Sequence, residues 1–204
     1  MRNERNAMQT THKIARDSLL SLESYAKVRK EFRSKVMAHK RDRTIHLGAH
    51  LTLIFEDMLT IRYQVQEMLR IERTFEEEGI QDELDAYNPL IPDGRNLKAT
   101  MMIEYADEAE RKQALTQFKG IEDRVWVQVD GSARVYAVAD EDLERENEEK
   151  TSAVHFLRFD LDDDMARSFK SGAGLALGVD HRNYQAEVRA VAAATHASLA
   201  QDLD

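Results

Sequence analysis

The first regular run of apolar residues in this chain has the period of an α-helix, and it predicts a helix over residues 21–39. The apolar positions recur every three or four residues and are Leu22, Tyr25, Val28, Phe32 and Val36. The opposite face and the residues just beyond it are basic, with Lys27, Arg29, Lys30, Arg33, Lys35, Lys40, Arg41 and Arg43.

Two polar segments lack any such period. Residues 1–17 predict a mobile N-terminal tail, which leaves residues 18–204 as a single domain. Residues 140–150, DEDLERENEEK, are a run of charges and predict a solvated acidic loop.

The period changes from helix to strand between residues 44 and 56. Apolar side chains there alternate with other residues, as in Ile45, Leu47, Leu51 and Leu53, which is the pattern of strands with one buried face. Gly48 interrupts the run and predicts a turn or bulge between two short strands.

A central helix is predicted over residues 58–77, with Asp57 as its N-cap. We expect its apolar stripe to pack against a sheet. The stripe consists of Ile61, Val65, Met68, Leu69 and Phe75.

The second half of the chain alternates strands and helices. Strand–helix–strand units at 99–129 and 153–179 favour parallel pairing within each unit, and Asp130-Gly131 predicts an antiparallel hairpin. An alanine-rich segment predicts a C-terminal helix over Tyr184–Ala200. The expected fold class is α+β, a mixed sheet with N-terminal, central and C-terminal helices.

Composition narrows the classes of function. The chain has 204 residues, a net charge of −9 and no cysteine, which excludes disulfides, thiolate nucleophiles and cysteine-bound zinc or iron–sulfur clusters. It begins without a secretory signal and lacks a stretch of about 20 apolar residues. We therefore expect a cytoplasmic protein without a membrane partner, and we predict no cofactor.

Two histidines are the candidate metal ligands. On a straight strand His46 and His50 would lie roughly 13 Å apart, at about 3.3 Å per residue, whereas zinc ligands lie about 2 Å from their ion. A bend at Gly48 would bring them together. The alternative is two ordinary histidines on a half-exposed face, and we expect no stoichiometric metal in the purified protein.

The central helix carries the densest set of polar side chains. Arg62, Gln66 and Arg70 lie on one side with Glu67 beside them. Guanidinium groups there would suit a phosphate or a carboxylate. A solvated face is the alternative, helped by the Glu67–Arg70 pair at a spacing of three residues.

The basic face of the first helix raises the question of nucleic acid. It has no interleaved exposed aromatic residues, and the chain shows no helix-turn-helix or zinc-finger pattern. An acidic protein is a poor default binder of nucleic acid. We therefore expect no salt-sensitive binding to DNA.

Several segments of the chain resemble one bacterial family. They are RTIHLGAHLTLIFEDMLTIRYQVQEMLRIERTF at 43–75, ELDAYNPLIP at 83–92, VHFLRF at 154–159 and GVDHRNY at 178–184. With them, the chain past residue 18 resembles the bacterial domain of unknown function 3501 family. The resemblance implies no catalytic residue. It implies protein partners among rubrerythrin-like and iron–sulfur proteins, and hence a role in redox or peroxide stress. The residues of its central run to study first are Glu56, Arg62, Gln66, Glu67 and Arg70.

Two functions of different classes follow from these features. The first is a non-catalytic accessory or interaction protein, with a homo-oligomer left open. The second is an enzyme or small-anion-binding protein whose pocket is lined by the helix 58–77, with Glu56, Arg62, Gln66, Glu67 and Arg70 as ligand-binding residues. Convergence of these side chains on a concave pocket would distinguish the second function from the first.

Overall fold

A computed structural model describes residues 13–139 and 150–204 of the protein. These residues form six α-helices and nine β-strands. The helices are α1 (Leu22–Arg41), α2 (Met58–Glu72), α3 (Glu77–Tyr87), α4 (Glu108–Gln117), α5 (Asp163–Lys170) and α6 (Ala193–Leu199). The strands are β1 (Thr44–Leu47), β2 (Leu51–Phe55), β3 (Asn96–Ile103), β4 (Val125–Val129), β5 (Val135–Tyr136), β6 (Val138–Ala139), β7 (Val154–Asp160), β8 (Leu175–His181) and β9 (Tyr184–Val188).

The strands are arranged in two antiparallel sheets. One has the order β1-β2-β3-β7-β6 and the other the order β5-β4-β8-β9. The α+β class is confirmed, but the expected mixed sheet with parallel pairing inside the two strand–helix–strand units is wrong. In each unit the two strands belong to different sheets, β3 and β4 in the first and β7 and β8 in the second.

The alternating burial of β3 and β7 fits the antiparallel arrangement. Along β3 the residues at 97, 99, 101 and 103 are buried and those between them are half-buried. A central parallel strand covered by helices would be buried on both faces, whereas strands with one buried face suit two sheets that pack together. The inward side chains of both sheets accordingly form one hydrophobic core.

The two predicted turns between short strands are present. β1 and β2 pair across Gly48, whose φ is 71°, and β4 and β5 pair across Asp130-Gly131. Beyond β5 the chain changes sheets, because β6 pairs with β7 in the other sheet.

A second hydrophobic core lies among α2, α3 and the segment before α1. Ile61 and Leu69 of α2 pack there with Leu84 of α3, so the expectation that the apolar stripe of α2 packs against a sheet is wrong. Ile14 also belongs to this core and is only 3% exposed. The described residues 13–17 thus contribute one core side chain, while residues 1–12 lie outside the described residues. The mobile tail over residues 1–17 stays a prediction.

Local backbone geometry sets the limits of α2. Asp57 is its N-cap as predicted, and it forms a capping box with Thr60. The helix ends at Glu72, short of the predicted residue 77, because Arg73 adopts left-handed angles of φ 57° and ψ 39°. Phe75 consequently lies outside the helix and is 66% exposed.

The predicted C-terminal helix is wrong over its first half. Residues 184–188 form β9, which pairs with β8 in an antiparallel hairpin, and the helix occupies only Ala193–Leu199. High alanine content favours a helix, but the alternation of Tyr184, Ala186 and Val188 lets these side chains pack against the core. Hairpin pairing and the burial of one face of β9 thus override the helix propensity of alanine.

Two further sequence features concern membranes and the acidic loop. No helix among the described residues combines the length and the apolar character that a bilayer span requires. The predicted acidic loop falls, apart from Lys150, outside the described residues.

Candidate functional site

The carboxylate of Glu67 joins α1 to α2. It accepts hydrogen bonds from the Tyr25 hydroxyl at 2.6 Å, from Nε and Nη2 of Arg29 at 2.8 Å each, and from Nη2 of Arg70 at 3.2 Å. These contacts place the start of α1 beside the end of α2, so the two helices run antiparallel. Glu67 is 9% exposed and Tyr25 is fully buried.

The pKa values in this cluster reflect an ionised carboxylate surrounded by donors. The hydrogen bonds from Arg29 outweigh burial and, with those from Tyr25 and Arg70, lower the pKa of Glu67 to about 2. Burial and the nearby carboxylate raise the pKa of Tyr25 well above its ordinary value. Glu67 is therefore an internal counter-ion that offers no proton at neutral pH.

The side chain of Gln66 holds the segment before α1. Its Oε1 accepts a hydrogen bond from the backbone N–H of Leu20 at 2.8 Å, and its Nε2 donates to the carbonyl of the same residue at 3.2 Å. Gln66 is 2% exposed. Both polar groups of its amide are thus bonded within the protein.

Glu56 and Arg62 lie apart from this cluster. Oε1 of Glu56 accepts a hydrogen bond from the Thr100 hydroxyl of β3 at 2.7 Å, and Glu56 is only 7% exposed. Arg62 is half-buried, and its Nε is buried without a hydrogen-bond partner among the described residues, as is Nε of Arg70.

The five predicted ligand-binding residues therefore have separate surroundings. Of the set, hydrogen bonds join only Glu67 and Arg70 to each other. Three surface concavities of the described part of the molecule are lined by other residues, one beside Arg95 and Asp163, one beside Tyr105 and Arg111, and one along α1. The pocket predicted along the helix 58–77 remains an untested proposal that these contacts do not favour.

The two candidate metal ligands lie at the β1–β2 hairpin. Nδ1 of His46 is 3.0 Å from the Thr52 hydroxyl, and Nδ1 of His50 is 3.0 Å from the carbonyl of Glu104. The His50 ring stacks on Tyr105 with a centroid distance of 3.8 Å. No group of three or more His, Asp or Glu side chains that could hold a metal ion occurs within residues 13–139 and 150–204.

The structure contains a buried ionic cluster around Arg43 that the sequence does not predict. The sequence predicts Arg43 on the basic face of α1, but it is 1% exposed. Its guanidinium donates to the carbonyls of Phe55 at 2.8 Å and Glu56 at 3.0 Å, and it also bonds the carboxylate of Asp202. The partners of Arg43 are distant in sequence, so local periodicity contains no signal for them.

Asp57 and His39 complete this cluster. Oδ2 of Asp57 lies 2.5 Å from Nε2 of His39 and 3.5 Å from Nη1 of Arg43. Burial opposes ionisation of Asp57, but the charge of Arg43 and the hydrogen bonds from Thr60 and His39 together lower its pKa. Burial has the larger effect on Asp202 and raises its pKa to about 6. The cluster ties the C-terminal segment to the end of β2.

The outer face of α1 carries a row of cations along a shallow groove. The groove has a volume of about 970 Å³ and is lined by Arg29, Lys30, Arg33, Ser34, Met37, Ala38 and Arg41. Lys30, Arg33 and Arg41 are exposed, and none of the three has an ion-pair partner among the described residues. The predicted basic face is thus present, but Arg43 is buried and does not belong to it.

Comparison with known proteins places this chain in a group without an assigned activity. The family described as "Protein of unknown function (DUF3501)" matches residues 13–203. A crystal structure of a novel protein of unknown function from Burkholderia pseudomallei K96243 is 57% identical in sequence, with a TM-score of 0.90. That similarity covers 94% of this chain and 100% of the other. No curated protein matches the chain.

Proposed function

The chain belongs to the DUF3501 family of unknown function, and from that premise we propose that it is a non-catalytic accessory protein that binds an acidic protein partner. The contact surface is the outer face of α1 at Lys30, Arg33 and Arg41. The observation that supports this proposal most directly is the row of exposed cations, without ion-pair partners among the described residues, on a protein with a net charge of −9.

Electrostatics favours a complementary partner at this surface. Like charges along a helix repel one another, so a row of cations without counter-ions is mildly unfavourable in the free protein. An acidic surface would relieve that repulsion, speed association and fix the orientation of the complex.

A protein partner suits the surface better than a nucleic acid. Single-stranded nucleic acids bind aromatic platforms as well as cations, but Tyr25 is buried and Phe32 is half-buried against Tyr63. Met37 and Ala38 instead add apolar contact area to the groove. The overall negative charge would also repel a nucleic acid.

The family resemblance suggests which partners to try. Rubrerythrin-like and iron–sulfur proteins are the candidates, and the chain would then serve redox or peroxide defence in the cytoplasm through them. The absence of cysteine is consistent with an accessory role, since this chain supplies no thiolate ligand for a cluster.

Binding to purified rubrerythrin-like and iron–sulfur proteins of the source bacterium tests the proposal by titration calorimetry. We expect the double variant Lys30→Glu/Arg33→Glu to bind at least tenfold more weakly than the unmodified protein. The matched control is Lys112→Glu/Arg182→Glu, which makes the same change of charge at two exposed positions elsewhere. Equal weakening by both double variants would show that only net charge matters and would contradict the α1 surface.

A small-anion site on α2 is the second candidate, because Nε of Arg62 and Nε of Arg70 lack hydrogen-bond partners among the described residues. Inorganic phosphate is the probe. If it binds there, it should raise the unfolding temperature of the unmodified protein and not that of Arg62→Ala, because a ligand stabilises the state that binds it. An equal shift for both proteins would reject this site.

A further inference from the structure

The outer face of the second sheet carries the chain's single tryptophan. Trp126 lies on β4 between Val125 and Val127, whose side chains belong to the core, so its indole lies on the opposite face. It pairs with Tyr136 on β5 and with Gly178 on β8. Despite its position on an outer face, Trp126 is only 2% exposed.

Two neighbours cover the indole. Gly178 lies directly against it, since a Cβ added at that position would be 2.5 Å from Cζ2 of the ring. The guanidinium of Arg134 lies over the ring, with its Cζ 3.8 Å from the ring centroid. The Gly178 contact is part of the sheet, whereas Arg134 is a 40% exposed side chain that follows the Asp130-Gly131 turn.

Asp180 supplies an anion at the same place. Its Oδ2 accepts a hydrogen bond from the Tyr136 hydroxyl at 2.6 Å and lies 3.6 Å from Nη1 of Arg134. The arginine is therefore held by the face of an indole and by a carboxylate together. Aromatic faces and carboxylates each attract a guanidinium group.

Two polar atoms at this site are left without hydrogen bonds. Nε1 of Trp126 and Oδ1 of Asp180 are both buried and have no hydrogen-bond partner within the described residues. A buried unpaired polar atom is unfavourable and rare in native proteins. With Arg134 in place, one hydrogen-bond donor and one acceptor of this site therefore have no partner among the described residues.

We propose that Trp126, Tyr136 and Asp180 form a binding site for the guanidinium group of an arginine in a partner protein, and that Arg134 of the same chain occupies it in the free state. The partner's arginine would replace Arg134 over the indole and pair with Asp180. Its neighbouring peptide groups would be available to bond Nε1 of Trp126. The site lies on the second sheet and is independent of the α1 surface.

Competition by Arg134 sets the expected affinities. If Arg134 covers the ring in about nine tenths of the molecules, it weakens the apparent affinity for an added arginine about tenfold. Arg134→Ala removes the competitor and leaves Trp126, Tyr136 and Asp180 in place. Since no other tryptophan is present, fluorescence emission reports on Trp126 alone.

The test titrates N-acetyl-arginine amide into the protein at low ionic strength and follows tryptophan emission. We expect a saturable change for Arg134→Ala, at least fivefold tighter than for the unmodified protein. N-acetyl-citrulline amide, which has a similar shape without the charge, should give no saturable change. Asp180→Asn in the Arg134→Ala background should abolish the response.

Three results would overturn the proposal. They are a folded Arg134→Ala protein without a saturable response, equal responses to the arginine and citrulline compounds, and equal affinities with and without Arg134. Arg134→Gln, which keeps most of the side chain but not the charge, replaces Arg134→Ala if circular dichroism shows that the alanine variant does not fold. It should give the same gain in affinity.

Discussion

At the scale of single residues, polar side chains that the sequence marks as candidate ligands serve internal contacts. The Gln66 amide accepts a hydrogen bond from the backbone N–H of Leu20 and donates one to its carbonyl. The Glu67 carboxylate accepts hydrogen bonds from Tyr25, Arg29 and Arg70. Buried polar groups require partners in the folded state. A helical wheel can show that such residues share a side, but it does not distinguish a ligand from an internal partner.

Replacement of Glu67 by glutamine should destabilise the protein. The neutral amide keeps the size of the side chain, but one of its two acceptor positions becomes a donor that faces other donors. We expect Glu67→Gln to lower the free energy of unfolding by about 1–3 kcal/mol at pH 7, measured by urea denaturation. Glu23→Gln, at an exposed ion pair with Lys27, is the control and should change it by less than about 1 kcal/mol. Equal effects would mean that Glu67 is not an internal counter-ion.

The same residue should give the protein a defined sensitivity to acid. The pKa of Glu67 is lowered to about 2 in the folded protein, below the value of about 4.3 expected in the unfolded chain. Its stabilising contribution is therefore complete above the unfolded value and is lost as the pH falls through the interval toward 2. The difference in unfolding free energy between the unmodified protein and Glu67→Gln should shrink between pH 5 and pH 2. A difference independent of pH would contradict the lowered pKa.

At the scale of secondary-structure elements, the sequence predicts most helices and strands and fails where tertiary contacts decide. The Asp57 cap and the turn at Gly48 follow from local chemistry that neighbouring residues supply. Local chemistry does not predict the early end of α2 at Arg73 or the strand at Tyr184–Val188. The first depends on a left-handed residue other than glycine. The second depends on a hairpin with β8, which a high alanine content does not predict.

Arg43 shows how one residue joins several elements. It follows α1, precedes β1, and bonds the end of β2 and the C-terminal segment. Lysine keeps the charge but lacks the planar fork of donors, so Arg43→Lys should leave buried acceptors unpaired. We expect a loss of about 3 kcal/mol in unfolding free energy, measured by urea denaturation.

The control for this variant is Arg41→Lys, two residues earlier on the exposed face of α1. It should change the unfolding free energy by less than about 0.5 kcal/mol, as exposed substitutions usually do. A loss of similar size in both variants would contradict a specific role for the buried hydrogen bonds of Arg43.

At the scale of the whole molecule, the antiparallel sheets and the separate helical core are the features that the sequence does not predict. A strand–helix–strand pattern fits parallel pairing in one sheet and a connection between two sheets equally well. The alternating burial of β3 favours the second arrangement. The polar side of α2 predicts a pocket because the sequence pattern does not show what packs against that helix. In the structure, α1 and the segment before it supply the partners of Glu67 and Gln66.

The distribution of charge across the molecule leads to the central claim. The cations of α1 that have internal partners, such as Arg29, lie toward α2, whereas Lys30, Arg33 and Arg41 remain exposed without ion-pair partners in the described parts of the chain. Stability should therefore depend on the inner contacts of α1 and binding on its outer face. The two properties should respond to different substitutions.

The most direct measurement compares two variants, each confirmed as folded at the temperature of the titration, in their affinity for whichever of the proposed protein partners binds the unmodified protein. Lys30→Glu/Arg33→Glu should bind at least tenfold more weakly than the unmodified protein while unfolding at a similar urea concentration. Glu67→Gln should bind with unchanged affinity although it is less stable. If the α2 variant loses binding and the α1 double variant keeps it, the functional surface is on α2, and the outer face of α1 is not where the partner binds.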